Sequence, residues 1–158
     1  MAASVANYSL FQAIVEFGAT DIGNAPKVSI TLQVDYTEHL SSRTPSPEVD
    51  FTFTTKKTGT IDISLEEATL FNLALYALHD GYTTGAVTIL KDSVIEGDFT
   101  ITGTNDQGNA FIWALNVVQL RPKGTMELIS GNNIAVIPIS GSILSDPVDG
   151  FGTITAVA

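Results

Sequence analysis

The stretch Val28-Ser29-Ile30-Thr31-Leu32-Gln33-Val34-Asp35-Tyr36 decides the fold class. Apolar and polar residues alternate along its whole length. Val28, Ile30, Leu32, Val34 and Tyr36 fall on one side, and Ser29, Thr31, Gln33 and Asp35 on the other. A period of two is the mark of a strand with one face buried and one wet. The pattern returns where Phe51 and Phe53 alternate with Thr52 and Thr54. It returns again where Ile61 and Ile63 alternate with Thr60, Asp62 and Ser64. Upstream, a strand is predicted over 11–17, followed by a Gly/Asp/Asn turn region over 18–26. A polar loop is predicted over 37–48, carrying Thr37, Glu38, His39, Arg43, Pro45, Pro47 and Glu48, and a turn over 56–59. Further strands are predicted over 86–90, 98–104, 110–120, 124–129, 134–142 and 152–157, with hairpin loops at 105–109 and 131–133.

One segment breaks the alternation. Ser64 is followed three residues later by Glu67, a capping-box spacing. Residues 65–79 are rich in Leu and Ala, with acids in the first turn and His79 in the last. Gly81 is placed to end the helix as its left-handed C′ residue. Between 70 and 78 the only polar side chain is Asn72, apart from the Tyr76 hydroxyl. A helix with no polar face is buried on more than one side. The sheet covers one side, and another subunit is the candidate for the other, through Leu70, Phe71, Leu75 and Leu78. The expectation is a single domain over 1–158. It is mainly β, an antiparallel β-sandwich or open barrel with one flanking α-helix.

Composition narrows the function. Seven basic against 17 acidic residues give a net charge of −10, while 44% of the 158 residues are hydrophobic and only 15% charged. Such a balance argues against a protein that grips nucleic-acid phosphates. There is no cysteine, hence no disulfide, no thiolate zinc site and no cysteine nucleophile. The first ten residues show no basic, then apolar, export pattern. The longest apolar run, 73–78, is far short of the ~20 residues that span a bilayer. The chain reads as soluble, made in a cytoplasm and without a membrane partner.

The search for catalytic chemistry finds little. His39 and His79 are the two histidines, and no zincin, nucleophile-elbow, P-loop or dinucleotide spacing occurs. Asp146-Pro147-Val148-Asp149-Gly150 lacks the spaced ligands of a calcium loop and reads as a turn. Glu66 and Glu67 do not share a helix face and suit dipole compensation. Asp35, Asp50 and Asp62 could meet across strands as an acid site, or simply tint a polar sheet face. No enzyme, cofactor or metal is expected. The polar strand face is the informative feature. Ser29, Thr31, Gln33, Asp35, Thr52, Thr54, Thr60 and Asp62 are short and contain no Lys or Arg. Such a face suits a surface past which a polyanion slides without sticking.

Residues 14–78 resemble the major tail tube proteins of long-tailed, non-contractile bacteriophages. The matching pieces are the first strand ending in Phe17 and the turn Gly18-Ala19-Thr20-Asp21-Ile22-Gly23-Asn24. The alternating strand from Val28 to Tyr36 and the polar loop follow. Then come the passage Thr60-Ile61-Asp62-Ile63-Ser64-Leu65 and Glu66-Glu67-Ala68-Thr69-Leu70-Phe71-Asn72-Leu73-Ala74. Gly124-Thr125-Met126-Glu127-Leu128-Ile129 and the strand from Ile134 to Gly141 extend the resemblance. It implies a ring-forming structural subunit, usually hexameric, whose rings stack into a conduit for DNA. Its lumen would be lined by the eight polar residues above, and loop 37–48 would reach the next ring. The implied partners are copies of itself and other tail proteins: tape measure, terminator and distal tail protein. Double-stranded DNA would pass without specific binding. The implied location is the virion tail, after synthesis in a bacterial cytoplasm. Two alternatives stand beside this one. A tail adaptor or a contractile-tail or secretion-type tube ring shares the fold. A small β-sandwich carbohydrate-binding module would need exposed aromatics. Trp113, on a run with Phe111, Leu115 and Val117, reads instead as core.

Overall fold

The alternating stretches do form strands, and they pair into one curled antiparallel sheet. A computed structural model describes residues 12–43, 45–46, 48–104, 109–129, 131 and 133–157. Its strands are β1 (Ala13–Phe17), β2 (Thr20–Asp21), β3 (Lys27–Leu40), β4 (Val49–Leu65), β5 (Ile95–Gly103), β6 (Phe111–Pro122), β7 (Ile137–Leu144) and β8 (Gly152–Ala156). The helix α1 (Leu70–Tyr76) lies between β4 and β5 in the chain. The sheet order is β2-β1-β5-β6-β7-β4-β3, with β8 paired to the first half of β6. The protein is thus mainly β: an open antiparallel sheet with one helix.

The core follows from the alternation. Ile61, Ile63 and Leu65 of β4 and Ile137, Ile139 and Ile143 of β7 are buried. Val118 and Leu120 of β6 meet them, with Phe99 of β5 and Val15 and Phe17 of β1. Gly141 lets β6 and β4 close over β7: a Cβ there would lie 2.7 Å from Val118 Cγ1 and 3.0 Å from Ile61 Cγ2. The sheet curls until its two ends approach, so that β1 and β3 together border an open seam.

Several local expectations are corrected. Residues 86–90 and 124–129 are not strands. The turn predicted over 56–59 is absent, because β4 runs unbroken from Val49 to Leu65. The loop predicted over 37–48 shrinks to 41–48, since Thr37, Glu38 and His39 belong to β3. The helix is seven residues long, not fifteen. Its N-cap is Thr69, whose hydroxyl accepts the Asn72 N–H at 3.1 Å. Glu67 is not free to box with Ser64, because its carboxylate accepts the backbone N–H of Asn24 at 2.8 Å. At the other end, Leu78 takes the left-handed position at φ 56°, with His79 N–H on the Ala74 carbonyl and Leu78 N–H on that of Leu75. That is a Schellman ending three residues before Gly81. Phe11, Thr44, Pro47, residues 105–108 and residue 132 of the predicted elements lie outside the described residues.

Candidate interaction surface

β3 and β4 are much longer than their neighbours, and the excess leaves the sheet. β7 pairs with β4 only from Gly59 to Leu65. Beyond that point β3 and β4 pair with each other alone, down to Leu40 opposite Val49. At about 3.3 Å per residue, the eight residues from Gln33 to Leu40 give an arm roughly 26 Å long. Its tip closes through Ser41 N–H on the Glu48 carbonyl at 2.9 Å.

Two irregularities set the arm's faces. Asp35 pairs with Lys56 and Tyr36 with Thr54, so Thr55 is an extra residue. His39 pairs with Phe51 and Leu40 with Val49, so Asp50 is another. Such bulges interrupt the simple alternation of the strand that carries them. Ser29, Thr31, Gln33 and Asp35 share the polar face with Thr60 and Asp62, as expected. Thr52 and Thr54 do not: they lie opposite Glu38 and Tyr36, on the face continuing Leu32 and Val34. Phe51 and Phe53 take the polar-face side, opposite His39 and Thr37, and their rings stand edge to face at 4.6 Å. The arm therefore shows apolar side chains on both faces. Leu32, Val34, Tyr36, Leu40 and Val49 are exposed on one, and Phe51 and Phe53 on the other.

On the body, the polar face is a ladder across five strands. Thr31, Thr60, Ser142, Gln119 and Glu96 are successive cross-strand partners, with Gln119 donating to Glu96. Ser29, Asp62, Ser140 and Arg121 form the next row. The expected absence of cations is corrected, for Lys27, Lys56, Arg121 and Lys123 all reach this side. Arg121 donates to Ser142 at 3.1 Å and Lys123 Nζ is 2.8 Å from Asp62, while Lys56 lies opposite Asp35 in register. A strand-by-strand reading missed this because β6 and its exit loop join the face only in the folded sheet.

The three aspartates do not gather into an acid site. Asp35 accepts from Gln33 at 2.7 Å, Asp62 meets Lys123, and Asp50 lies 2.6 Å from His39 Nδ1. The His39 hydrogen bond, helped by its charge when protonated, holds the Asp50 carboxyl below its ordinary pKa. Asp146 is lowered too, by the backbone N–H groups of Val148 and Asp149, which fold 146–150 into a turn as expected. His79 Nδ1 accepts the Thr88 N–H at 3.0 Å and pins a loop. No group of His, Asp and Glu able to hold a metal ion occurs among the described residues. No helix among them is long and apolar enough to cross a membrane.

The four helix positions divide. Leu75 and Leu78 are buried in this chain's own core, so they are not available to a second subunit. Phe71 packs partly against that core, and Leu70 stays exposed. α1 packs against β6 and β7, neighbouring strands of the same sheet, which cover one side of it. Two features escaped the sequence. One is the seam cleft of about 420 Å³, lined by Val15, Val28, Ile30, Ile101 and Trp113, with Lys27 as its one charged lining residue. The other is the loop dipeptide Leu128-Ile129, 82% and 94% exposed. No protein-family model and no curated protein matches this chain.

Proposed function

We propose that this chain is a structural subunit of a tube. In this proposal, copies of it form rings, hexameric in the tail tube proteins it resembles, and the rings stack into a conduit for double-stranded DNA. The observation that carries the proposal is the β3–β4 arm. It extends past the sheet with Leu32, Tyr36, Leu40, Phe51 and Phe53 all more than half exposed. Its outer backbone edges have no strand partner among the described residues. A long ribbon with unpaired edges and exposed apolar side chains is an aggregation hazard unless a defined partner covers it. Repeated copies of the same chain supply that partner without further parts.

The polar ladder supports the conduit part of the proposal. It presents mainly hydroxyl and amide groups, and among its few cations Lys123 is paired with Asp62. Such a surface offers phosphates no row of free guanidinium or ammonium groups to grip. Tape measure, terminator and distal tail proteins would be its companions in a virion tail. Light scattering after size exclusion, followed by negative-stain microscopy, tests the proposal. Rings or tubes are expected. A strictly monomeric protein at every concentration, even with tail partners present, overturns it.

A further inference from the structure

We infer that adjacent copies interlock head to tail, with Leu128-Ile129 of one copy seated in the seam cleft of the next. This rests on the tube-subunit proposal and names one of its contacts. Three observations carry it. The first is shape. The cleft is an open apolar hollow of about 420 Å³ walled by Val15, Val28, Ile30, Ile101 and Trp113. Ile129 and Leu128 are among the most exposed large apolar side chains described, at 94% and 82%. The volume suits two aliphatic side chains.

The second is charge. Lys27 is the one charged residue lining the cleft, and Glu127 directly precedes the protruding dipeptide. Both are exposed, and neither has an ion-pair partner within 4.0 Å among the described residues. Docking the dipeptide brings opposite charges together at the rim, which fixes register and rejects wrong pairings. The third is placement. The cleft lies at the seam, where the two ends of the sheet order approach. The loop bearing Leu128-Ile129 joins β6 to β7, in the middle of that order. Knob and hole therefore sit on different parts of the surface. A contact between different patches is heterologous and repeats from copy to copy, closing into a ring when the rotation allows.

The absence of cysteine makes the test clean. Ala13 is exposed and lines the cleft. Equal amounts of A13C and I129C, mixed and oxidised with copper phenanthroline, should give the mixed disulfide dimer, with little product from either variant alone. Lys27→Glu and Glu127→Lys should each weaken self-association by ~10-fold or more, and the double reversal should recover most of it. Ile129→Ser, at a site with almost no intramolecular burial, should keep the unfolding midpoint while losing assembly. Trp113 is the lone tryptophan, so its emission should shift to the blue as the unmodified protein assembles but not in Ile129→Ser. If the unmodified protein forms rings and these variants do so equally well, with no mixed disulfide, the interlock is wrong and the tube proposal stands. If the unmodified protein never associates, both fail together.

Discussion

The Thr55 hydroxyl donates to the backbone carbonyl of Asp35 at 3.1 Å, tying the extra residue of β4 to the strand it bulges away from. This one contact lies within the arm and marks where the side chains of β4 exchange faces. Below it Ser29, Thr31, Thr60 and Asp62 share a face; above it Phe51 and Phe53 appear on that face. Deleting Thr55 should remove the bulge and keep the paired residues opposite each other, leaving a straighter arm. The unfolding midpoint should move little, because the arm lies outside the core. Ring stacking seen by microscopy should be lost. Normal tubes from the deletion would show that the arm's direction is irrelevant to assembly.

The two ends of the helix should respond differently to the same change. Leu75 is buried at 4% exposure, whereas Leu70 is 52% exposed. Leu75→Glu places a carboxylate in the core and should cost about 3 kcal/mol or more, enough to threaten folding. Leu70→Glu should alter stability by about 0.5 kcal/mol at most. Urea unfolding of both variants measures the contrast directly. Equal destabilisation would contradict the packing of α1 described above.

The arm's aromatic pair offers a separate check. Phe51→Ser with Phe53→Ser removes exposed rings that touch each other at 4.6 Å and no buried core residue. The double variant should remain a folded monomer with a near-normal thermal midpoint. Its tubes should be absent or short by negative stain. Collapse of the monomer instead would mean that the rings support the fold and not the assembly.

Acid should loosen the arm tip before the core. Asp50 is held below its ordinary value of 3.8, first by the hydrogen bond from His39. A carboxyl with a depressed folded-state pKa contributes stability above its unfolded value and loses it as pH falls through the folded value. The contact is therefore fully present above about pH 3.8 and is lost as the pH falls on through the lower folded-state value. An NMR titration should place the Asp50 midpoint below 3.8 in the unmodified chain and higher in His39→Ala than in the unmodified chain. No difference between the two would remove His39 as the cause.

Much of this architecture is legible in the sequence. The alternation of Val28 to Tyr36 and of Thr60 to Ser64 produced strands, and Ile61 and Ile63 are buried on the expected side, but Leu32, Val34 and Tyr36 are exposed because their half of β3 runs past the sheet. The Leu- and Ala-rich segment after Ser64 produced the helix, though a shorter one. β6 shows where such reading fails. Leu115 is buried, but so are Val118 and Leu120, because Gly97 pairs with Val118 while Phe99 pairs with Leu115. The shift belongs to the pairing of two strands, and neither strand alone announces it.

The sequence by itself determined the strand-rich class, the single helix near residue 70, and the small uncharged side chains that dominate one sheet face. These depend on local periodicity and propensity. Only the tertiary structure decided that Thr52 and Thr54 leave the polar face and that Lys123 comes to Asp62. It alone placed Glu67 on Asn24 and committed Leu75 and Leu78 to the chain's own core. Each of those outcomes turns on which distant strand or loop becomes the neighbour. That choice is set by the packing of the whole sheet, which no short window of residues contains.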